Sequence, residues 1–188
     1  MRVLFLENDD SFSWNVLDAL PFGRADVVVR PGHEVAREPD LISTAQALVV
    51  GPGPTDPLRA GIVDAIREAA RRRVPLLGIC LGHQALGLAF SARLVRVAPA
   101  HGKSSTVRFS SSRLFPNFSG ATETVMRYHS LALSEIPSPL RVVATTQDGI
   151  PMAIEHDTLP MAGLQFHPDS YGSPRGRELI ADFFRAVI

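Results

Sequence analysis

The first half of the chain alternates short apolar runs with segments whose apolar positions recur every three to four residues. Short apolar runs are typical of strands buried on both faces of a parallel sheet, and they occur at Val3–Leu6, Asp26–Arg30, Ala47–Val50 and Pro75–Ile79. The intervening segments predict amphipathic helices. One helix has an apolar face made of Phe12, Val16, Leu17 and Leu20, and another has Ile62, Val63, Ile66, Ala69 and Ala70 opposite charged residues.

After residue 92 the pattern becomes rich in strands, which we expect at Leu94–Val97, Thr106–Phe109, Leu140–Thr145, Met152–His156 and Met161–Phe166. A final helix is predicted, with Ser173 as its cap and Pro174 at its first turn. Together these elements predict one α/β domain spanning residues 1–188. It would have three layers, with a central, mainly parallel but mixed sheet flanked by helices in a flavodoxin-like arrangement.

The only cysteine, Cys80, stands between the predicted strand Pro75–Ile79 and a predicted helix over residues 83–90. Gly78 and Gly82 flank it and permit the tight turn that holds a side chain at the tip of a strand-to-helix elbow. Unpaired N–H groups and the positive end of the helix dipole favour a thiolate at this position. We therefore interpret Cys80 as a nucleophile, rather than as a small buried hydrophobic residue.

A nucleophilic cysteine needs a base, and His167 lies at the end of a short apolar run, directly before Pro168. Pro168 favours an extended backbone at His167. In an extended segment residues two apart point to the same side, so Asp169 can orient the imidazole. The sequence thus predicts a triad of Cys80, His167 and Asp169. His-Pro-Asp is also good turn chemistry, which is the alternative interpretation.

Five segments carry a resemblance to a known family: residues 78–84 (GICLGHQ), 165–170 (QFHPDS), 52–57 (PGPTDP), 101–104 (HGKS) and 127–131 (RYHSL). The chain resembles the class I, triad-type glutamine amidotransferases. The last two segments, and the opening residues 7–12 (ENDDSF), are similar to the branch that serves chorismate-using synthases, including anthranilate synthase component II and aminodeoxychorismate synthase component II.

The resemblance implies a glutaminase subunit that forms a heteromer with a chorismate-binding synthase and takes L-glutamine as its substrate. It implies an oxyanion hole made by the N–H groups of Gly53 and Leu81. It also implies a glutamine site that includes Gly53, Pro54, Thr55, Gln84, Ser130 and Leu131. From the residues alone, Gln84 could equally lie on a helix surface and Ser130 could form a turn. His101 and His129 are expected to be structural or interfacial, and no role follows for Lys103.

Three positions depart from the family pattern. Asp169 replaces the usual Glu and is one methylene shorter, so its contact with His167 is expected to be long or mediated by water. Thr55 replaces a glycine, which requires a negative φ at that position. Glu7 replaces an aspartate and keeps the charge. The Asp169 substitution keeps a second hypothesis open, a catalytically weak regulatory subunit of such a synthase.

Composition narrows the possibilities further. The chain has 188 residues, of which 45% are hydrophobic and 20% are charged. Its net charge is +0, so the charge does not favour binding to nucleic acid or to an anionic membrane surface. A single cysteine excludes an internal disulfide and suits the cytoplasm. The N-terminus turns acidic too early for a signal peptide, and no apolar run is long enough to cross a membrane. CxxC, HExxH and GxGxxG motifs do not occur, so neither a metal nor a dinucleotide cofactor is expected.

Other enzymes of the same broad class are the remaining alternatives. An amidotransferase of carbamoyl phosphate or GMP synthesis, or a γ-glutamyl hydrolase, would share the elbow and the His-Pro segment. The segments at residues 101–104 and 127–131 argue against these. Anthranilate synthesis, aminobenzoate synthesis and secondary-metabolite pathways are not distinguished by this chain, because the synthase makes that choice.

Overall fold

A computed structural model describes residues 2–38 and 40–188. The strands are β1 (Val3–Glu7), β2 (Val27–Pro31), β3 (Ala47–Val50), β4 (Leu76–Ile79), β5 (Arg93–Phe109), β6 (Thr122–Ser134), β7 (Leu140–Thr146), β8 (Pro151–His156) and β9 (Met161–Leu164). The helices are α1 (Ser13–Ala19), α2 (Gly32–Val35), α3 (Asp40–Ser43), α4 (Val63–Arg71), α5 (Leu81–Ala89) and α6 (Gly176–Val187). Two short 3₁₀ turns cover Arg24–Asp26 and Pro116–Phe118.

The described strands form one mixed sheet in the order β2-β1-β3-β4-β9-β8-β7-β5-β6. Pairing is parallel from β2 to β9 and antiparallel from β9 onward. β4 and β9 are neighbours with Ile79 opposite Leu164, so the residues that follow each strand emerge side by side at the carboxyl edge of the sheet. Open α/β sheets place their functional sites at this edge.

Each face of the sheet is covered by its own apolar core. Along β1, Val3 and Phe5 pack into one core with α1 and α6, whereas Leu4 and Leu6 pack into the other with α4 and α5. This alternation is the pleat of a strand that is buried on both faces. The predicted three-layer α/β arrangement, with a mainly parallel sheet and a strand-rich second half, is confirmed.

The main differences from the prediction in the second half of the sheet concern three strands. The runs Leu94–Val97 and Thr106–Phe109 belong to a single long strand, β5, because the polar residues between them continue the pairing with β6 through two irregularities in register. β6 was not predicted, since its buried positions include the polar residues Glu123, Arg127 and His129. In addition, β9 ends at Leu164 and not at Phe166.

The prediction that Ser173 caps the last helix, with Pro174 at its first turn, was wrong on both counts. Helix α6 begins at Gly176, and Arg175 occupies the cap position without a side-chain hydrogen bond. The Ser173 hydroxyl instead donates to the His167 carbonyl (2.7 Å) and accepts from the Met126 N–H (2.9 Å). Through these two hydrogen bonds the buried Ser173 side chain ties the segment after β9 to β6.

The helices of the described residues are all too short, or too polar, to pass through a lipid bilayer.

Candidate active site

Cys80 lies at the turn between β4 and α5, as the sequence predicted. Its φ of 51° and ψ of −98° are outside the regions that L-residues favour, and such a conformation costs about 1–3 kcal/mol. The Cys80 N–H donates to Leu164 (2.8 Å) on the neighbouring strand, and its carbonyl accepts the Gln84 N–H (3.1 Å) of α5. These bonds hold the residue in the strained turn and aim its side chain away from the sheet edge.

The two glycines beside Cys80 allow α5 to pack directly onto the sheet. A Cβ at Gly82 would overlap the Val50 carbonyl of β3, and a Cβ at Gly78 would overlap the Gly82 backbone. Both obstacles are main-chain atoms, which cannot move aside as a flexible side chain can. The Gly-x-Cys-x-Gly segment therefore fixes the elbow through backbone contact.

His167 follows β9, next to the strand that carries Cys80. Its N–H donates to Met126 (3.0 Å) and its carbonyl accepts from Ser173, so the backbone is anchored on both sides. The imidazole is buried, its Nδ1 faces Asp169, and Cys80 is close enough to raise the pKa of the ring. The structure thus brings the three predicted triad residues together.

The Asp169 carboxylate is the loosest contact of this group. Its Oδ1 lies 3.4 Å from His167 Nδ1, which is longer than a normal charge-assisted hydrogen bond of about 2.7–2.9 Å. The side chain is fully buried, yet neither oxygen receives a hydrogen bond within residues 2–38 and 40–188. The interaction is therefore an ion pair without hydrogen-bond geometry, as expected for a side chain one methylene shorter than Glu.

The imidazole of His167 is held in its charged form. Burial by itself lowers the pKa of this group, but the interactions with Asp169 and with Cys80 outweigh burial and raise the pKa to about 10. An imidazolium at neutral pH can stabilise a thiolate on Cys80 and can later act as an acid. This pairing is what a cysteine nucleophile requires.

Two aromatic rings enclose the imidazole on its open sides. The centroids of Phe12 and Tyr128 each lie 5.1 Å from that of His167, and they lie 4.9 Å from each other. Both contacts with the imidazole are edge-on, an arrangement favoured between aromatic rings. Phe12 precedes α1 and was predicted to belong to the apolar face of that helix; instead it lines the cavity beside Cys80.

A cavity of about 570 Å³ opens in front of Cys80 and His167. Every residue predicted to form the oxyanion hole or to bind glutamine lines it: Gly53, Pro54, Thr55, Leu81, Gln84, Ser130 and Leu131. Asp10, Asp56, Arg59, Arg96 and His101 also line it and were not predicted to do so. Asp169 does not line this cavity, because it lies behind His167.

The two residues expected to form the oxyanion hole, Gly53 and Leu81, lie next to each other at the elbow. Leu81 is the first residue of α5, so its N–H is one of the first four that have no acceptor within the helix. Gly53 lies so close that a Cβ there would overlap the Leu81 side chain, and Asn8 packs on its other side. Among the described residues Thr55 is not one of those with positive φ, so the condition for replacing a glycine there is met.

Gln84 lies one helical turn beyond Cys80 and is buried in the cavity wall. Its Nε2 donates to the Leu131 carbonyl (3.1 Å) and to Gln165 Oε1 (3.1 Å). Gln84 is therefore not a surface residue of the helix. The bond from Gln84 to Leu131 ties α5 to β6, and the same carbonyl also accepts from His129 Nδ1 (2.9 Å) of its own strand.

His129 has a structural position, as predicted. Burial lowers its pKa to about 4, and the nearby positive charges of Arg127 and His167 act in the same direction. Arg127 Nε donates to His129 Nε2 (3.0 Å), so the neutral ring carries its proton on Nδ1 and donates it to Leu131. The ring thereby fixes the backbone at the bottom of the cavity.

The sequence interpretation missed several residues of this site. Gln165 donates from Nε2 to Cys80 Sγ at 3.8 Å, and Asn8 donates to the Gly51 carbonyl (3.1 Å), which holds the loop before Gly53. The register between β4 and β9 could have revealed Gln165, because it is the residue opposite Cys80. Among the described residues, no three His, Cys, Asp or Glu side chains converge in a way that could bind a metal ion.

Comparison with known proteins identifies the family. The model of the class-I glutamine amidotransferases matches residues 4–187. The chain is 42% identical over 187 residues to the aminodeoxychorismate synthase of Streptomyces griseus; the match covers 97% of this chain but only 26% of that protein. It is 36% identical over 195 residues to anthranilate synthase component 2 of Azospirillum brasilense, covering 98% and 96% of the two chains. The chain belongs to the class-I glutamine amidotransferases.

A solved structure supports the fold independently. A Thermoplasma acidophilum protein assigned as a component of GMP synthase superimposes with a TM-score of 0.85 at 20% identity, covering 100% of this chain and 94% of that one. At this level of identity the likeness shows the fold alone. The predicted amidotransferase fold is thereby confirmed.

Proposed function

We propose that this chain is the glutaminase subunit of a chorismate-using synthase: it hydrolyses L-glutamine through a thioester on Cys80 and delivers the ammonia to its partner. The observation that carries the proposal is the strained Cys80 turn beside the buried pair of His167 and Asp169, at a cavity lined by Cys80, His167 and Gln84. These are the nucleophile, the acid and base, and the binding groups that amide hydrolysis needs.

In the first half of the reaction, the Cys80 thiolate attacks the side-chain carbonyl carbon of glutamine, and a C–S bond forms. Charge develops on the carbonyl oxygen, where the N–H groups of Leu81 and Gly53 stabilise it. The C–N bond then breaks, and the His167 imidazolium donates a proton to the departing nitrogen, so ammonia leaves. The product on the enzyme is a glutamyl thioester, and His167 is neutral.

In the second half, neutral His167 removes a proton from a water molecule that attacks the thioester. The same two N–H groups stabilise the second oxyanion. The C–S bond breaks, which releases glutamate and restores the thiolate beside a charged imidazole. Asp169 stabilises that charge throughout, from behind the ring. Gln84 and the Ser130–Leu131 backbone hold the amino-acid end of glutamine in this scheme.

The ammonia needs an acceptor, and the names of the similar proteins point to its nature. One relative of full length is an anthranilate synthase component 2, and the larger relative is an aminodeoxychorismate synthase. We infer a heteromer with a chorismate-binding synthase subunit in the cytoplasm, with neither nucleic acid nor membrane as a partner. The synthase decides which product is made, so the same glutaminase chemistry serves either.

The long contact between Asp169 and His167 favours a second candidate, a regulatory subunit with little glutaminase activity of its own. In this case the chain would still bind the synthase and glutamine, but turnover of glutamine would be slow with or without the partner. The charged state of His167 supports the first candidate, because the imidazolium is retained despite the long contact.

The test uses the complex with its synthase. Cys80→Ser is expected to abolish glutamine-dependent product formation while synthesis from ammonium salts continues, because the acceptor site belongs to the partner. A glutamine analogue with an electrophilic side-chain carbonyl should form one adduct, on Cys80, detected by mass spectrometry. Glutamine-dependent turnover within about tenfold of wild type in Cys80→Ser would overturn the assignment. Wild-type complex without glutaminase activity would favour the regulatory subunit.

A further inference from the structure

Gln165 is the buried residue next to Cys80 on the neighbouring strand, and its amide points at the sulfur. β4 and β9 pair with Ile79 opposite Leu164, so the residues after each strand, Cys80 and Gln165, emerge side by side. Gln165 has no exposed surface, and its Nε2 lies 3.8 Å from Cys80 Sγ. A buried amide costs free energy unless its hydrogen-bonding capacity is used, so this contact needs an explanation.

The direction of the Gln165 amide follows from a chain of hydrogen bonds that starts at a main-chain carbonyl. The Leu131 oxygen can only accept, so the Gln84 atom that faces it is the donor Nε2. The same Nε2 also faces Gln165, so the Gln165 atom on that side is the acceptor Oε1. Gln165 Nε2 is therefore the atom that faces Cys80, and the sulfur is offered an N–H.

An N–H directed at sulfur distinguishes the two protonation states of the nucleophile. A thiol is a weak acceptor, whereas an ionised acceptor forms a hydrogen bond roughly twice as strong. The donor at Gln165 faces the sulfur and is screened from water by complete burial. A hydrogen bond to the charged form favours that form.

We propose that Gln165 is a further catalytic residue, whose amide N–H stabilises the Cys80 thiolate and fixes the direction of its attack, while Gln84 orients that amide. The inference deepens the proposed function and rests on it only for the role of Cys80. Gln84 then has two roles: its amide binds glutamine, and the same amide orients the side chain of Gln165.

The thiolate can be measured without glutamine turnover, because Cys80 is the only cysteine in the chain. The probe is the rate of alkylation by iodoacetamide as a function of pH, with mass spectrometry to count adducts. Gln165→Met removes the donor and keeps the length of the side chain. We expect the midpoint of its alkylation profile to move upward by about half a pH unit or more. Gln165→Glu keeps the acceptor toward Gln84 but places an acid beside the sulfur, so it should move the midpoint further.

Gln147→Met is the matched control, because Gln147 is exposed in the turn between β7 and β8. Its profile should coincide with that of the wild type. A midpoint in Gln165→Met that also coincides with the control, in a protein that unfolds at the wild-type temperature, would overturn the proposal. Should Gln165→Met not fold, Gln84→Met decides in its place, because it removes the partner that orients the Gln165 amide and adds no charge beside the sulfur.

Kinetics in the complex then separate this role from glutamine binding. Gln165→Met is expected to lower kcat about tenfold with little change in KM, since it acts on the nucleophile. Gln84→Met is expected to raise KM as well. If the alkylation profile moves as predicted but Cys80→Ser retains glutamine-dependent synthesis, then the Gln165 contact is real and the proposed function has failed. If the alkylation profile does not move but Cys80→Ser abolishes glutamine-dependent synthesis, the proposed function stands and the role of Gln165 is refuted.

Discussion

Cys80 and the pair formed by His167 and Asp169 are held in place by different means. The backbone sets the position of Cys80, the proposed nucleophile: β4 pairs with β9, the Cys80 φ is positive, and Gly82 packs against the backbone of β3. The base has an equally firm backbone, but its ring depends on side chains, and the carboxylate contact is 3.4 Å long. Substitutions that alter only side-chain contacts should therefore affect His167, the proposed base. Only substitutions that displace the backbone should move Cys80.

The largest effect is expected from an added methyl group at Gly82. In Gly82→Ala the new Cβ meets the Val50 carbonyl, a main-chain atom of β3, so α5 must move away from the sheet. Such overpacking costs about 3 kcal/mol of the free energy of unfolding, which chemical denaturation would measure. Displacement of the elbow should also slow the alkylation of Cys80.

Gly87→Ala is the matched control in the same helix. There the added Cβ meets the Leu133 side chain and not a main-chain atom, and alanine favours a helix. We expect a change within about 1 kcal/mol. Equal effects at positions 82 and 87 would show that backbone contact does not define the elbow.

The second prediction concerns the charge of His167. Its pKa of about 10 in the fold exceeds the usual 6.5, so the pairing stabilises the folded protein fully below pH 6.5, and that contribution is lost as the pH rises toward 10. Cys80→Ala removes one of the two partners that raise the pKa and leaves the burial that lowers it. We expect the pKa of His167 to fall by more than about one unit, measured by NMR titration of the imidazole. An unchanged pKa would mean that Asp169 alone holds the charge.

The sequence predicted the strands whose buried positions are apolar and missed the strand whose buried positions are polar. β1, β3 and β4 are buried on both faces by apolar residues, so their pattern was sufficient, and the elbow followed from local glycine geometry. β6 was missed because Glu123, Arg127 and His129 are buried within ion pairs and hydrogen bonds that only the folded sheet creates.

Contacts that only the folded sheet creates also explain which residues of the site the sequence predicted and which it missed. Cys80, His167 and Asp169 stand in short motifs whose chemistry is evident from neighbouring residues. Gln165 stands in the segment 165–170, but its contact is with the sulfur of Cys80 on another element, and Ser173 contacts the Met126 N–H, so no local pattern reveals these contacts. Local geometry was therefore predictable, and side-chain contacts between strands were not.

The smallest effect is expected at Asp169, where the contact with His167 is already weak. Asp169→Ala should lower kcat for glutamine hydrolysis in the complex about tenfold, because the imidazole loses its partner and the orientation of its tautomer. Asp169→Glu lengthens the side chain by one methylene toward His167, whose Nδ1 is now 3.4 Å from the carboxylate. We expect Asp169→Glu to retain the wild-type kcat or to raise it.

The comparison between Asp169→Ala and Asp169→Glu shows which property of the residue matters. A carboxylate that acts on the ring should be replaceable by a longer one but not by a methyl group, and the pKa of His167 should fall only in Asp169→Ala. Reduced activity in both variants, with equal thermal stability, would show that the backbone is adapted to aspartate and that Glu is overlong. Undiminished hydrolysis in Asp169→Ala would reduce the triad to a dyad of Cys80 and His167. The carboxylate would then be a turn residue, and the base would be held by its backbone anchors and by the rings of Phe12 and Tyr128 alone.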